Sequence, residues 1–205
     1  MNPPVPWLWI VAGINGAGKT TLCSKPEIKK LMGTSDILNP DIRTRALLAE
    51  QTELEIGEAN LMAAKLTDAE VLDRIGATRT SFGVETVLSS DKFHPVLELA
   101  RKEGWKVGLI YFALPSVDVA IERVKLRVLT GGHHVPEHKV RERWDRSIQR
   151  MARYLPQVDV GYIMGNPTAE GAMLLAEAKA GKIRLVDTSA IPWLTTLLQS
   201  MSADA

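Results

Sequence analysis

The chain opens its patterned region with an unbroken apolar run, Trp7 to Gly13, bounded by prolines before and glycines after. A short continuous run with such borders predicts a strand buried on both faces. A helix is expected to open near Gly18 and to stop at Pro26, which has no backbone N–H to donate. Asp36 to Pro40 predicts a second short strand. Asn39 is then an N-cap, with Pro40 at the first helical position and Asp41 just inside. Gly57 to Ile75 is rich in Ala, Leu and Glu and predicts a helix. "SFGVETVLS" predicts a third strand with a polar end. Asp91 to Glu103 predicts a helix that Gly104 terminates. Val107 to Leu114 is the most strand-like run. Ser116 to Leu129 is amphipathic, "TGGHHVPEH" is a loop, and Glu137 to Tyr154 is a basic helix. "DVGYIMGN" and "KIRLVDT" are later strands, and Ile191 to Met201 closes the chain as a helix. Strands alternating with helices predict an α/β fold, a parallel sheet with helices on both faces, in one domain over residues 1–205.

Composition narrows this little. The 205 residues are 45% hydrophobic and 24% charged, an ordinary globular balance. A net charge of +1, without blocks of like charge, gives no sign of a nucleic-acid partner. The scattered tryptophans offer no base-stacking platform. The single cysteine, Cys23, fits a reducing compartment and reads as a small buried apolar residue. The N-terminus has no basic leader and its apolar run is too short to span a bilayer, so a cytoplasmic protein without membrane attachment is expected.

The chemistry starts where the first strand ends. Gly13-x-x-x-x-Gly18-Lys19-Thr20 has the spacing of a phosphate-binding loop between a strand and a helix. Bare glycine backbone lets N–H groups turn inward around phosphates, and the positive end of the helix dipole adds attraction. Asn15, Gly16, Ala17, Gly18, Lys19, Thr20 and Thr21 are therefore the expected nucleotide contacts. Lys19 should reach the β- and γ-phosphates of a nucleoside triphosphate such as ATP, and the Thr20 hydroxyl should hold Mg²⁺. Thr21 either packs in the helix or touches the α-phosphate.

Other clusters leave two readings open. Asp41 follows the second strand, where open sheets bind ligands, and suits a general base; an acid in a first helical turn also simply complements the dipole. Arg43 and Arg45 either hold a phosphorylated substrate or are solvated. Glu85 and Thr86 end the third strand; a glutamate in an apolar pattern needs a partner or a cleft, and substrate or Mg²⁺ contact is the stronger reading. Arg123 and Arg127 share a helix face, and Arg141, Arg143 and Arg146 lie beyond the glycine loop. A flap over roughly residues 129–146 could carry such arginines to a γ-phosphate. His134 and His138 are spaced i, i+4, but no fixed third ligand or nearby cysteine completes a zinc site; with His133 they either contact phosphate or are plain loop residues.

"AGINGAGKTTL", "ILNPD", "SFGVETVLS", "GLIYFALPSVDVAIERVKLRVLTGGHHVP" and "VRERWDRSI", in this order, resemble the zeta-toxin family of P-loop kinases, in particular its short chromosomal branch. The resemblance covers roughly Trp7 to Asp159. It implies a three-layer α/β/α P-loop kinase fold and ATP-dependent phosphorylation of the sugar 3′-hydroxyl of UDP-N-acetylglucosamine. It further implies that some members are held by a small helical antitoxin. Lys19 then binds phosphate, Asp41 is the base, Glu85 and Thr86 contact substrate, and two γ-phosphate arginines fall among Arg123, Arg127 and Arg143. The chain departs from the family after Asp159, where it reads "GYIMGNPT", and Gly165-Asn166-Pro167 is either an adenine edge or a turn. Two rivals stand beside this reading: another small-metabolite kinase, and a nucleotide-dependent regulatory protein with little catalysis.

Overall fold

The computed structural model describes residues 4–129, 135–165 and 172–203. The predicted first strand is β1 (Trp7–Ala12). Helices α1 (Lys19–Cys23), α2 (Pro26–Met32), α3 (Pro40–Glu50) and α4 (Ile56–Ala77) follow, with the two-residue strand β2 (Ile37–Leu38) between α2 and α3. Next come β3 (Phe82–Thr86), α5 (Phe93–Lys102), β4 (Lys106–Ala113), α6 (Val117–Leu129), α7 (Glu137–Tyr154) and β5 (Val160–Gly165). The chain ends with β6 (Met173–Lys179), β7 (Lys182–Leu185) and α8 (Pro192–Ala203).

The sheet runs β2-β3-β1-β4-β5-β6-β7. Its first five strands are parallel, and β6 and β7 are added antiparallel. Period-two alternation sends the two faces of each central strand into different cores. Leu8, Ile10 and Ala12 pack with α4, α5 and α8 residues such as Val71, Leu97 and Leu194. Trp9 and Val11 pack on the opposite face with Leu22, Ile28 and Ile121 of α1, α2 and α6. Helices on both faces of a mostly parallel sheet make the three-layer α/β/α architecture that was expected.

One local expectation needs correction, and one strand was not expected at all. Pro26 does not merely end a helix. The first helix stops at Cys23, and Pro26 starts α2 at a position where its missing N–H is harmless. The segment Met173–Lys179 carries no strand signature in its Leu, Ala and Glu content, yet it is β6. Pairing to β5 on one side and to β7 on the other overrides its propensity. Ala180 (φ 49°) and Gly181 (φ 78°) close that hairpin with two positive-φ residues, the geometry a two-residue hairpin turn prefers.

Because β1 lies between β3 and β4, the chain leaves β1 toward one side and later crosses to the other. Ligands in such sheets bind beyond the carboxyl ends of the strands flanking that crossover. The ends of β1, β2 and β3 there deliver the glycine loop, Asn39-Pro40-Asp41 and Glu85-Thr86 to one place.

Candidate active site

Between β1 and α1 the loop turns through Gly13 (φ 141°) and Gly16 (φ 86°). A Cβ on Gly13 would stand 2.6 Å from the Phe112 carbonyl oxygen, and one on Gly16 would stand 2.5 Å from that of Ala120. Bare backbone is therefore needed first to seat the loop against β4 and α6, before any question of room for phosphates. The loop folds around the Lys19 ammonium, which donates to the carbonyls of Gly13 (2.8 Å) and Ile14 (3.3 Å). Burial lowers the Lys19 pKa; the carboxylates of Glu85 and Asp41 push it back up, and the Arg127 charge lowers it further. Lys19 is thus a desolvated cation with electronegative atoms around it, and an anionic ligand would complete its partners.

The parallel register brings Glu85 beside Val11 and Thr86 beside Ala12. Glu85 is only 7% exposed. Desolvation raises its pKa, with the Lys19 charge and a hydrogen bond from Thr20 opposing that rise. The Thr20 hydroxyl donates to Glu85 Oε2 at 2.9 Å, and the Asn39 side-chain amide donates to Thr20 Oγ1 at 3.4 Å. The Asn39 carbonyl oxygen accepts from the N–H groups of Asp41 (2.8 Å) and Ile42 (3.2 Å), the N-cap expected from sequence. One asparagine therefore starts α3, fixes the position of Asp41 and supports the Thr20–Glu85 pair.

These groups face an open cleft of about 550 Å³. The loop contributes Asn15 and Lys19, α3 contributes Asp41 and Thr44, α4 contributes Asn60, and α7 contributes Lys139 and Arg143. The end of β3 adds Thr86, and the turn after it adds Ser89. In that turn the buried Leu88 takes a left-handed conformation (φ 58°), rare for a non-glycine residue, and its N–H donates to Thr86 Oγ1 at 3.0 Å. The Thr86 hydroxyl keeps its own proton to donate into the cleft.

Several expected residues lie elsewhere. Arg43, expected at the substrate, is turned away from the cleft and ion-pairs with Glu70 of α4, which Arg74 also holds. The reason is that α4 packs along α3 and brings the Glu70 carboxylate to the Arg43 guanidinium. Arg45 is exposed and donates to the Asp41 carbonyl at 3.4 Å. Arg141 is engaged by Asp118 and Glu137, and Arg146 by Glu142, on the solvent side of α7. Arg143 alone of these three reaches the cleft, donating to the buried Asn15 Oδ1 at 3.4 Å. Arg127 is close enough to Lys19 to oppose its protonation, and Arg123 lies one turn earlier on the same face of α6. Ala17 is fully buried in the core and Thr21 is exposed. Cys23 is buried, and desolvation pushes its thiol up to about 12. His138 is exposed, and no cluster of metal-binding side chains occurs among the described residues. His133, His134, Asn166 and Pro167 lie outside the described residues. No helix among the described residues is long and apolar enough to cross a membrane.

Reading by motif passed over Thr44 and Asn60, whose side chains hydrogen-bond at 3.1 Å in the cleft wall. It also passed over Lys92, Lys139 and the second role of Asn39. Only Asn39 left a signal, through its adjacency to Asp41; the others depend on how α4, α5 and α7 pack.

No protein-family model matches the chain. An uncharacterized protein of Haemophilus influenzae is 27% identical over 145 residues, 67% of this chain and 96% of that protein. A chain of the AvrRxo1-ORF1:AvrRxo1-ORF2 crystal structure with sulphate ions superposes with a TM-score of 0.69 at 17% identity, covering 97% of this chain. This chain spans only 64% of that one. A chain of the PezAT chromosomal toxin–antitoxin system of Streptococcus pneumoniae superposes at 0.59 with 14% identity, covering 98% and 89% of the two chains. At these identities the likeness establishes architecture. The molecule has the three-layer fold of P-loop kinases, of the kind the zeta-toxin resemblance implies.

Proposed function

We propose that the chain is an ATP-dependent phosphotransferase of zeta-toxin type, acting on a hydroxyl of a sugar nucleotide such as UDP-N-acetylglucosamine. The observation that carries this reading is the convergence of Lys19, Asp41, Glu85 and Arg143 on one open cleft at the carboxyl edge of the sheet. The glycine loop and Lys19 would bind the triphosphate. Thr20 and Glu85 present a hydroxyl and a carboxylate 2.9 Å apart, an all-oxygen pair that fits Mg²⁺, which takes few protein ligands and keeps its waters. Bound there, Mg²⁺ would neutralise phosphate charge.

Asp41 takes the proton of the acceptor hydroxyl as its oxygen bonds to the γ-phosphorus. The bond from that phosphorus to the bridging oxygen breaks, and ADP leaves with the electron pair. Arg143, with Arg127 or Arg123, balances the charge that spreads over the transferring group. Thr86 and Ser89 line the acceptor side. Fold likeness supports the donor, since the similar AvrRxo1-ORF1:-ORF2 assembly has been crystallised with ATP. It also supports a protein partner of antitoxin type, since PezAT is a toxin–antitoxin system.

The test is incubation of the purified protein with Mg²⁺, ATP and UDP-N-acetylglucosamine, followed by mass spectrometry. A sugar nucleotide heavier by one phosphoryl group is expected. ATP binding without any change in that acceptor would dismiss it, and a panel of other hydroxyl metabolites would then search for the substrate.

A further inference from the structure

Asn39 has more to do than start a helix. β2 pairs parallel to β3 with Leu38 beside Val84, so the next residues, Asn39 and Glu85, come level at the carboxyl edge of the sheet. The proline that follows restricts Asn39 to extended backbone (φ −128°, ψ 111°), the conformation an N-cap takes. Its side chain lines the cleft. The side-chain oxygen accepts from two backbone N–H groups, at 2.8 and 3.2 Å, which only the oxygen end of an amide can do. The NH₂ end must therefore face the other way. There it donates to Thr20 Oγ1 and lies close enough to the Glu85 carboxylate to stabilise its charge.

The Thr20 hydroxyl has one proton and two lone pairs. The proton goes to Glu85 Oε2 and one lone pair receives the Asn39 amide, which leaves one lone pair for a cation. A threonine in a helix divides between two χ1 rotamers. The amide favours the rotamer that keeps the hydroxyl beside Glu85, and without it a single hydrogen bond holds Thr20 there.

We propose, on the phosphotransferase reading above, that Asn39 is a positioning residue for the metal. Its NH₂ group holds the Thr20 hydroxyl and the Glu85 carboxylate in the arrangement that Mg²⁺ accompanying ATP requires. Its oxygen meanwhile fixes the first turn of α3, which carries Asp41. One side chain thus ties the phosphate-donor side of the cleft to the base.

Serine separates the two roles. It caps a helix about as well as asparagine, but its short side chain cannot also reach Thr20. Asn39→Ser should keep native circular dichroism and native affinity for ATP in EDTA, read by calorimetry. Its affinity for ATP with Mg²⁺ should fall about ten-fold or more, the usual loss when a group that orients a metal ligand is removed. Asn39→Gly, which also costs the cap little, is the second variant and should behave alike. Thr20→Val removes the group through which the amide acts, so adding Asn39→Ser to it should cost little more than Thr20→Val alone. A folded Asn39→Ser chain with the native Mg²⁺-dependent gain in ATP affinity overturns the proposal and leaves the phosphotransferase reading standing. So does an equal loss with Mg²⁺ and with EDTA, which would mean that Asn39 only shapes the loop, and so do fully additive losses in the double variant. A native chain that binds no ATP in the presence of Mg²⁺ overturns the proposal and the phosphotransferase reading together.

Discussion

At the residue scale the site is built from charges taken out of water and made to face one another. Lys19 sits among backbone carbonyls and Glu85 is nearly sealed, so each is held from its ordinary pKa by burial and drawn back by the other. Replacing Lys19 by Ala should abolish nucleotide turnover while circular dichroism stays native, because the side chain extends into the loop and not into the apolar core. Asp41→Asn should lower phosphoryl transfer by about 10²–10⁴-fold, the range for a general base, and leave Mg²⁺·ATP affinity measured by calorimetry nearly unchanged. A variant that transfers at the native rate would refute that role. Glu85 gives a pH signature. Its pKa is raised in the folded chain, so the fold binds that proton more tightly than the unfolded chain does. The resulting stabilisation is complete below the ordinary carboxylate range and is lost as pH rises through the folded value. Glu85→Gln should remove that decline, which denaturant titrations at several pH values will read.

At the element scale the cleft depends on how helices are tied to strand ends. Ser147 of α7 is fully buried, donates to the Val87 carbonyl at 2.6 Å and shares a 3.1 Å hydrogen bond with the Tyr111 hydroxyl. Burial pushes that phenol up to about 12, so it remains a neutral hydrogen-bonding group. One turn earlier on α7, Arg143 enters the cleft. Ser147→Ala leaves the Val87 carbonyl without this donor and should lower stability by about 1–3 kcal/mol in urea unfolding. At the start of α5, Lys92 pairs with Asp68 of α4 at 2.6 Å, a solvent-exposed contact that adds little stability by itself. Gly16→Ala should be worse than its small size suggests, since the new carbon would press on a backbone carbonyl of α6 in a strained conformation. A loss of about 1–3 kcal/mol is expected from strain alone, accompanied by weakened ATP binding. Most elements were legible because their periodicity and punctuation agree: Asn39 and Pro40 announce α3, and the apolar run announces β1. β6 was not legible, because its Leu–Ala–Glu composition suits a helix and only its neighbours β5 and β7 make it a strand.

At the scale of the whole molecule, binding and stability are linked through the cleft. If Mg²⁺·ATP binds the folded chain alone, a concentration one hundred times its dissociation constant stabilises by about 2.7 kcal/mol. For a chain of this length that raises the melting temperature by roughly 5–10 °C, and Lys19→Ala should lose the shift. The sequence by itself determined the phosphate loop, the alternation of strands and helices, and the pairing of Asp41 with the second strand and Glu85 with the third. These are properties of spacing and of local backbone preference, which neighbours along the chain settle among themselves. Tertiary structure alone decided that Arg43 belongs to Glu70, that Arg143 and not Arg141 or Arg146 enters the cleft, and that Asn60 stands in its wall. Which of several similar side chains meets a given charge depends on how helices far apart in the chain pack together, and a linear pattern holds no record of that distance.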